Sequence, residues 1–166
     1  MKATLTFPIR DNKIVLAIKQ KKVGAGKWNG FGGKPEPDDT GIRHTAAREL
    51  FEESGRGIKA KESDLQPKAL IDFYFYDNTT NEPNWSVMIY VTEIFSGEAS
   101  DTDEMKNATP FPFDKIPYGD MLPADRDFLP KILAGETFRG KVRFNETMTE
   151  CIELEYEPAD AASLET

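Results

Sequence analysis

Ala47-Arg48-Glu49-Leu50-Phe51-Glu52-Glu53-Ser54-Gly55 closes the clearest helix in the chain. Asp38, Asp39 and Thr40 offer N-cap side chains and Gly55 a stop, so the pattern predicts a helix over 40–54. Ile42, Ala46 and Leu50 recur at i, i+4 and i+8 and form one apolar face. Glu49, Glu52 and Glu53 stand three and four residues apart on another face, where each like-charge pair costs about 0.2–0.5 kcal/mol. They also crowd the C-terminal half, where the helix dipole favours cations. Arg48 and Arg56 relieve this only in part. A solvated acidic face is one account of the cluster. A bound hard cation is the other, because grouped carboxylates suit Mg²⁺, which also takes phosphate oxygens. Such an ion lowers the pKa of bound water and neutralises phosphoryl charge. A carboxylate left off the ion could act as general base.

Outward from this helix, residues 3–9 alternate as a strand, 10–13 read as a tight turn, and 14–18 as a second strand of a hairpin. The stretch from Val23 to Gly33 holds too many glycines for a helix and suits a loop that brings backbone close to something. Strands are expected over 68–76 and 85–94, with a hairpin loop between them. A loop rich in acids and prolines is expected over about 96–124, a short helix over 125–133, and strands near 139–145 and 149–156. Strands and helices are mixed rather than strictly alternating, so the expected fold is α+β around one mixed central sheet. One domain over 1–157 is expected, followed by a flexible tail over 158–166.

At 166 residues, the chain suits one domain with a sizeable core. Its net charge of −8 makes it a poor partner for long nucleic acid or an anionic membrane. A small anionic substrate stays open, because bound metal inverts the local field. The lone cysteine, Cys151, and lone histidine, His44, exclude an internal disulfide and argue against a zinc site; a reducing, cytoplasmic setting is expected. The N-terminal residues are too polar for a signal peptide, and no apolar run is long enough to span a bilayer. Monomer and homodimer both stay open.

Gly33 to Arg56 resembles the Nudix box, G-x5-E-x7-R-E-U-x-E-E-x-G-U with U aliphatic. Arg48-Glu49-Leu50-Phe51-Glu52-Glu53-Ser54-Gly55 carries the core of the match, and Gly33 the opening glycine. Asp39 stands where the first glutamate is expected, eight residues rather than seven separate it from Arg48, and Arg56 replaces the closing aliphatic residue. Lys27-Trp28-Asn29-Gly30-Phe31-Gly32-Gly33-Lys34, Asp103-Glu104-Met105, Gly119-Asp120-Met121-Leu122-Pro123 and Phe138-Arg139-Gly140 extend the resemblance, toward MutT-type 8-oxo-purine nucleoside triphosphatases and their animal members in particular.

The resemblance implies a Nudix α/β/α sandwich and Mg²⁺-dependent hydrolysis of a purine nucleoside triphosphate, such as 8-oxo-dGTP, with Mn²⁺ as a substitute ion. It implies that Glu49, Glu52, Glu53 and the Gly32 carbonyl hold metal. Glu104 would complete that site or take a proton, Arg48 would orient a helix carboxylate, and Lys19 would meet phosphate. For the base it implies Asn29 and Asp125 as polar contacts, with Val23, Phe73, Leu122 and Phe128 around them. Local chemistry offers bland roles too: turn formation for Asn29, helix capping for Asp125, core packing for Phe73, a solvated strand end for Lys19 and a surface acid for Glu104. Ala124 stands where a second aspartate is expected, and Leu122 and Phe128 where tryptophans are. The catalytic half therefore matches better than the recognition half. Other readings are a Nudix hydrolase of a dinucleotide polyphosphate or nucleotide sugar, and a non-catalytic nucleotide-binding module.

Overall fold

The computed structural model describes residues 1–166. In chain order the strands are β1 (Lys2–Arg10), β2 (Lys13–Lys19), β3 (Trp28–Asn29), β4 (Phe31–Gly33), β5 (Gln66–Tyr74), β6 (Trp85–Thr92), β7 (Met105–Pro112), β8 (Phe138–Phe144) and β9 (Cys151–Pro158). The helices are α1 (Ile42–Glu53), α2 (Asp125–Leu133) and α3 (Ala161–Leu164). All nine strands join one mixed sheet, with the main path β3-β2-β1-β6-β5-β8-β9.

The expected first hairpin forms at a two-residue turn, where Asp11 and Asn12 take φ of 54° and 58°. Beyond the turn β1 does not stay with β2. It pairs antiparallel with β4 and parallel with β6, so one strand serves both halves of the sheet. β5 pairs antiparallel with β6 and parallel with β8.

Period-2 alternation sends successive side chains to opposite faces. Ile89 and Val91 of β6 join the large core that α2 covers with Phe128, Leu129 and Ile132. Met88 and Tyr90 look the other way, toward Ala46 of α1 and Leu164 of α3. Helices therefore cover both faces, which is the α/β/α sandwich expected.

Three expectations need correction. α1 starts at Ile42 behind Gly41 with no side-chain cap, because Asp39 is engaged elsewhere. The region over 96–124 is not all loop. It contains β7, paired along β2, followed by two single 3₁₀ turns. Pro110 and Pro112 hid this strand, yet an edge strand tolerates residues that lack an N–H. The segment over 158–166 is docked rather than flexible. β9 runs to Pro158, Leu164 is 2% exposed, and Glu165 accepts hydrogen bonds from Arg43 Nε at 2.8 Å and the Tyr90 hydroxyl at 2.6 Å. A buried leucine and an ion pair to α1 outweigh the entropy of so short a segment. No helix is long and apolar enough to cross a membrane.

Candidate active site

β4 lies against the β1 backbone at Gly32 and against the Glu49 side chain of α1 at Gly33, which explains the glycines before the helix. A Cβ on Gly32 would lie 1.9 Å from the Thr4 carbonyl oxygen, and one on Gly33 would lie 2.4 Å from the Glu49 carboxyl carbon. The Glu49 carboxylate thus occupies the space a side chain would fill. Glu53 accepts a hydrogen bond from the Gly32 N–H at 3.3 Å. Ligand oxygens of Glu36, Glu49 and Glu52 lie within 4.8 Å of one another, so Glu53, turned toward β4, is not part of this trio. Sequence reasoning missed Glu36. It is an exposed acid in a loop between two prolines, and nothing in its spacing marks it.

Arg48 stands behind these carboxylates. Its Nε and Nη2 each donate to Asp39 at 2.8 Å, and its Nη1 donates to Glu49 at 2.8 Å and Glu52 at 3.1 Å. Asp39 also accepts from the Thr45 hydroxyl and the Glu36 N–H, and lies 2.9 Å from His44 Nδ1. Its side chain is only 4% exposed. The Arg48 guanidinium holds the Asp39 carboxyl well below the usual carboxylate range. A bidentate, charge-assisted pair of this kind fixes Arg48 and, through it, two helix carboxylates. The aspartate that departs from the box pattern is thus the anchor of its arginine.

Burial raises the Glu49 carboxyl, against hydrogen bonding by Arg48, and pushes Glu53 up to about 7. Lys19 is lowered by burial, and the charges of Glu53 and Glu104 oppose that shift. Glu104 sits in a turn held by the Thr102 hydroxyl, which accepts from the N–H groups of Glu104 and Met105. Two partly desolvated carboxylates, Glu49 and Glu53, with Glu52 beside them and one guanidinium shared by Glu49 and Glu52, suit a divalent cation by charge and by oxygen chemistry.

A cleft of about 890 Å³ runs from this acidic end across the α2 face of the sheet. Lys19, Val23, Asn29, Gly32, Glu49, Glu52, Glu53, Phe73, Glu104, Leu122, Asp125 and Phe128 all line it; of the predicted residues only Arg48 does not. Asn29 accepts the Gly30 N–H through Oδ1 at 2.8 Å, which leaves its amide N–H₂ free to donate. Asp125 does not cap α2, since the N-cap is Ala124 and no side chain bonds there. The residue is 5% exposed, its Oδ2 has no partner, and burial pushes the carboxyl up to about 8. Such a shift favours the neutral carboxyl, whose O–H can donate a hydrogen bond. Ala124 is fully buried in the core and does not line the cleft, so an aspartate there would meet apolar side chains rather than a base. The cleft also takes in Phe75, the other phenylalanine that the sequence offered beside Phe73, and Lys34 and Trp85, which sequence reasoning left out. Trp85 heads an ordinary strand and belongs to no motif.

Comparisons with known proteins give the family and the fold. Residues 1–132 match the NUDIX domain. An oxidized purine nucleoside triphosphate hydrolase from Danio rerio is 35% identical over 141 residues, 85% of each chain. A protein of the same name from Mus musculus is 32% identical over 146 residues, 88% of each chain. Among solved structures, a mutator MutT protein from Bacillus halodurans superposes with a TM-score of 0.78 at 20% identity, over 96% of this chain and 99% of that one. A UDP-X diphosphatase gives 0.59 at 19% identity, over 81% of this chain and 63% of the other. These two structures speak for the fold alone.

Proposed function

We propose that this chain, which belongs to the Nudix hydrolase family, cleaves an oxidised purine nucleoside triphosphate, 8-oxo-dGTP first among those to test, to the monophosphate and pyrophosphate. One observation carries the reading. A single cleft joins a carboxylate cluster to a pocket holding a buried carboxyl at Asp125, whose Oδ2 has no partner, and a free amide N–H₂ at Asn29. The first end suits a metal polyphosphate. The second offers donors to the carbonyl and ring-nitrogen acceptors of a purine.

The ion proposed is Mg²⁺, replaceable by Mn²⁺, and the residues fit it. Glu49, Glu52 and Glu53 would hold it, with the Gly32 carbonyl and Glu104 completing the set and Glu36 close enough to join. When bound, it would neutralise phosphate oxygens and acidify water. Lys19 draws the polyphosphate toward the acids. Water attacks phosphorus, the bond to the bridging oxygen breaks and pyrophosphate leaves, and whichever of Glu53 and Glu104 is left off the ion takes the proton. Arg48 keeps Glu49 and Glu52 aimed while charge moves.

The variant Glu53→Gln tests the assignment. Nucleotide binding should survive while Mg²⁺-dependent pyrophosphate release falls by orders of magnitude; unchanged turnover would remove Glu53 from the chemistry. Equal kcat/KM for dGTP and 8-oxo-dGTP in the unaltered enzyme would leave a hydrolase without a preference for oxidised bases.

A further inference from the structure

The cleft-lining Trp85 has no part in the reading so far. It opens β6 directly opposite Phe73 of β5, and Val87 follows it on the same face. It is half-buried, whereas Phe128 and Phe144 are 1% and 3% exposed and show the cleft little of their rings. Phe73 already stacks on Phe144, with centroids 5.7 Å apart and planes 8° from parallel. Val23 and Leu122 give the cleft aliphatic rather than aromatic surface. The Lys34 ammonium lies 5.2 Å from the indole centroid, and Lys34 follows the glycine that abuts Glu49. The indole therefore stands where the aromatic end of the cleft meets its charged end.

We propose that Trp85 is the surface on which the purine ring stacks, so that it sets affinity for the base while Asp125 and Asn29 set which base is preferred; this rests on the nucleotide reading above. Stacking on an indole tolerates any base, because every base has a π face. Hydrogen-bond donors at a base edge discriminate, because a wrong edge leaves them unpaired. Affinity and preference should therefore separate by residue.

The chain has two tryptophans, and Trp28 packs edge-on against Phe111 outside the cleft, so it is an internal reference. The protein is labelled with 5-fluorotryptophan and titrated with 8-oxo-dGMP without metal. ¹⁹F resonances are assigned with Trp85→Phe. The Trp85 resonance should move and that of Trp28 should not. Trp85→Leu should weaken 8-oxo-dGMP binding by about tenfold and raise KM by a similar factor for both 8-oxo-dGTP and dGTP. Their kcat values and the ratio of their kcat/KM should change less than about twofold. Trp85→Phe should restore most of the affinity. The proposal is overturned if 8-oxo-dGMP binds while the Trp85 resonance stays put, if Trp85→Leu binds normally, or if the preference ratio changes in step with KM. Absence of any nucleotide binding to the unaltered protein would instead overturn the nucleotide reading, and this inference with it.

Discussion

Replacing Asp125 with asparagine should make the protein more stable, and increasingly so as pH rises. The residue is 5% exposed, one carboxyl oxygen lacks a partner, and burial moves the carboxyl from an ordinary 3.8 to about 8. Because the folded state holds this proton more tightly than the unfolded chain, the stability it contributes is complete below about pH 4. That stability is lost progressively as pH rises to about 8. At 1.36 kcal/mol for each pH unit, the span is about 6 kcal/mol, comparable to the whole stability of a typical domain. Loop relaxation toward water lowers the total without changing its sign. Asparagine is neutral throughout and nearly isosteric. Urea unfolding of both proteins between pH 5 and 9 should give a stability difference that widens by about 1 kcal/mol per pH unit and levels off above pH 8. Parallel curves for the two proteins would refute the reasoning, since they would mean the carboxylate is ionised and solvated throughout. Binding of 8-oxo-dGMP gives a second readout. The O–H donor disappears above pH 8 in the unaltered protein, whereas an asparagine N–H₂ persists.

Gly33→Ala puts a methyl 2.4 Å from the Glu49 carboxyl carbon, so Glu49 must swing away; Mn²⁺ affinity, read by electron paramagnetic resonance of the free ion, should fall about tenfold or more while the fold persists. Asp39→Ala strands Arg48 without its buried partner, and the urea midpoint should report a loss of about 3–5 kcal/mol, with turnover falling as Glu49 and Glu52 lose their alignment. Leu164→Ala empties a buried position beneath α1 and should cost about 2–5 kcal/mol in calorimetry; a change within error would mean that α3 is dispensable.

The acidic end of the cleft was legible because its residues are local in sequence. Three glutamates on one helix face raise the choice between a solvated face and a bound cation, and the likeness of Arg48–Gly55 to the Nudix box favours the cation. Glu36 escaped because it reaches the trio from a loop. Asp39 was read for the glutamate it replaces rather than for the arginine it holds, and that contact exists only once the loop folds back on α1. The proposed base pocket was legible in parts. Asn29, Phe73, Leu122, Asp125 and Phe128 do line one cleft, but Trp85 enters it through the register of β5 on β6. Register is a property of two strands together. β7 was obscured by its prolines, and α3 by its shortness, since four residues carry no periodic signal.

Residues 2–8 run parallel to 86–92, and 69–74 parallel to 138–143, so the paired strands lie 84 and 69 residues apart in a chain of 166. Such contacts are slow to find, whereas α1 can wind on its own within microseconds. During refolding, helical circular dichroism should therefore recover well before pyrophosphatase activity. In the interval the acid-bearing helix exists with nothing yet to cut.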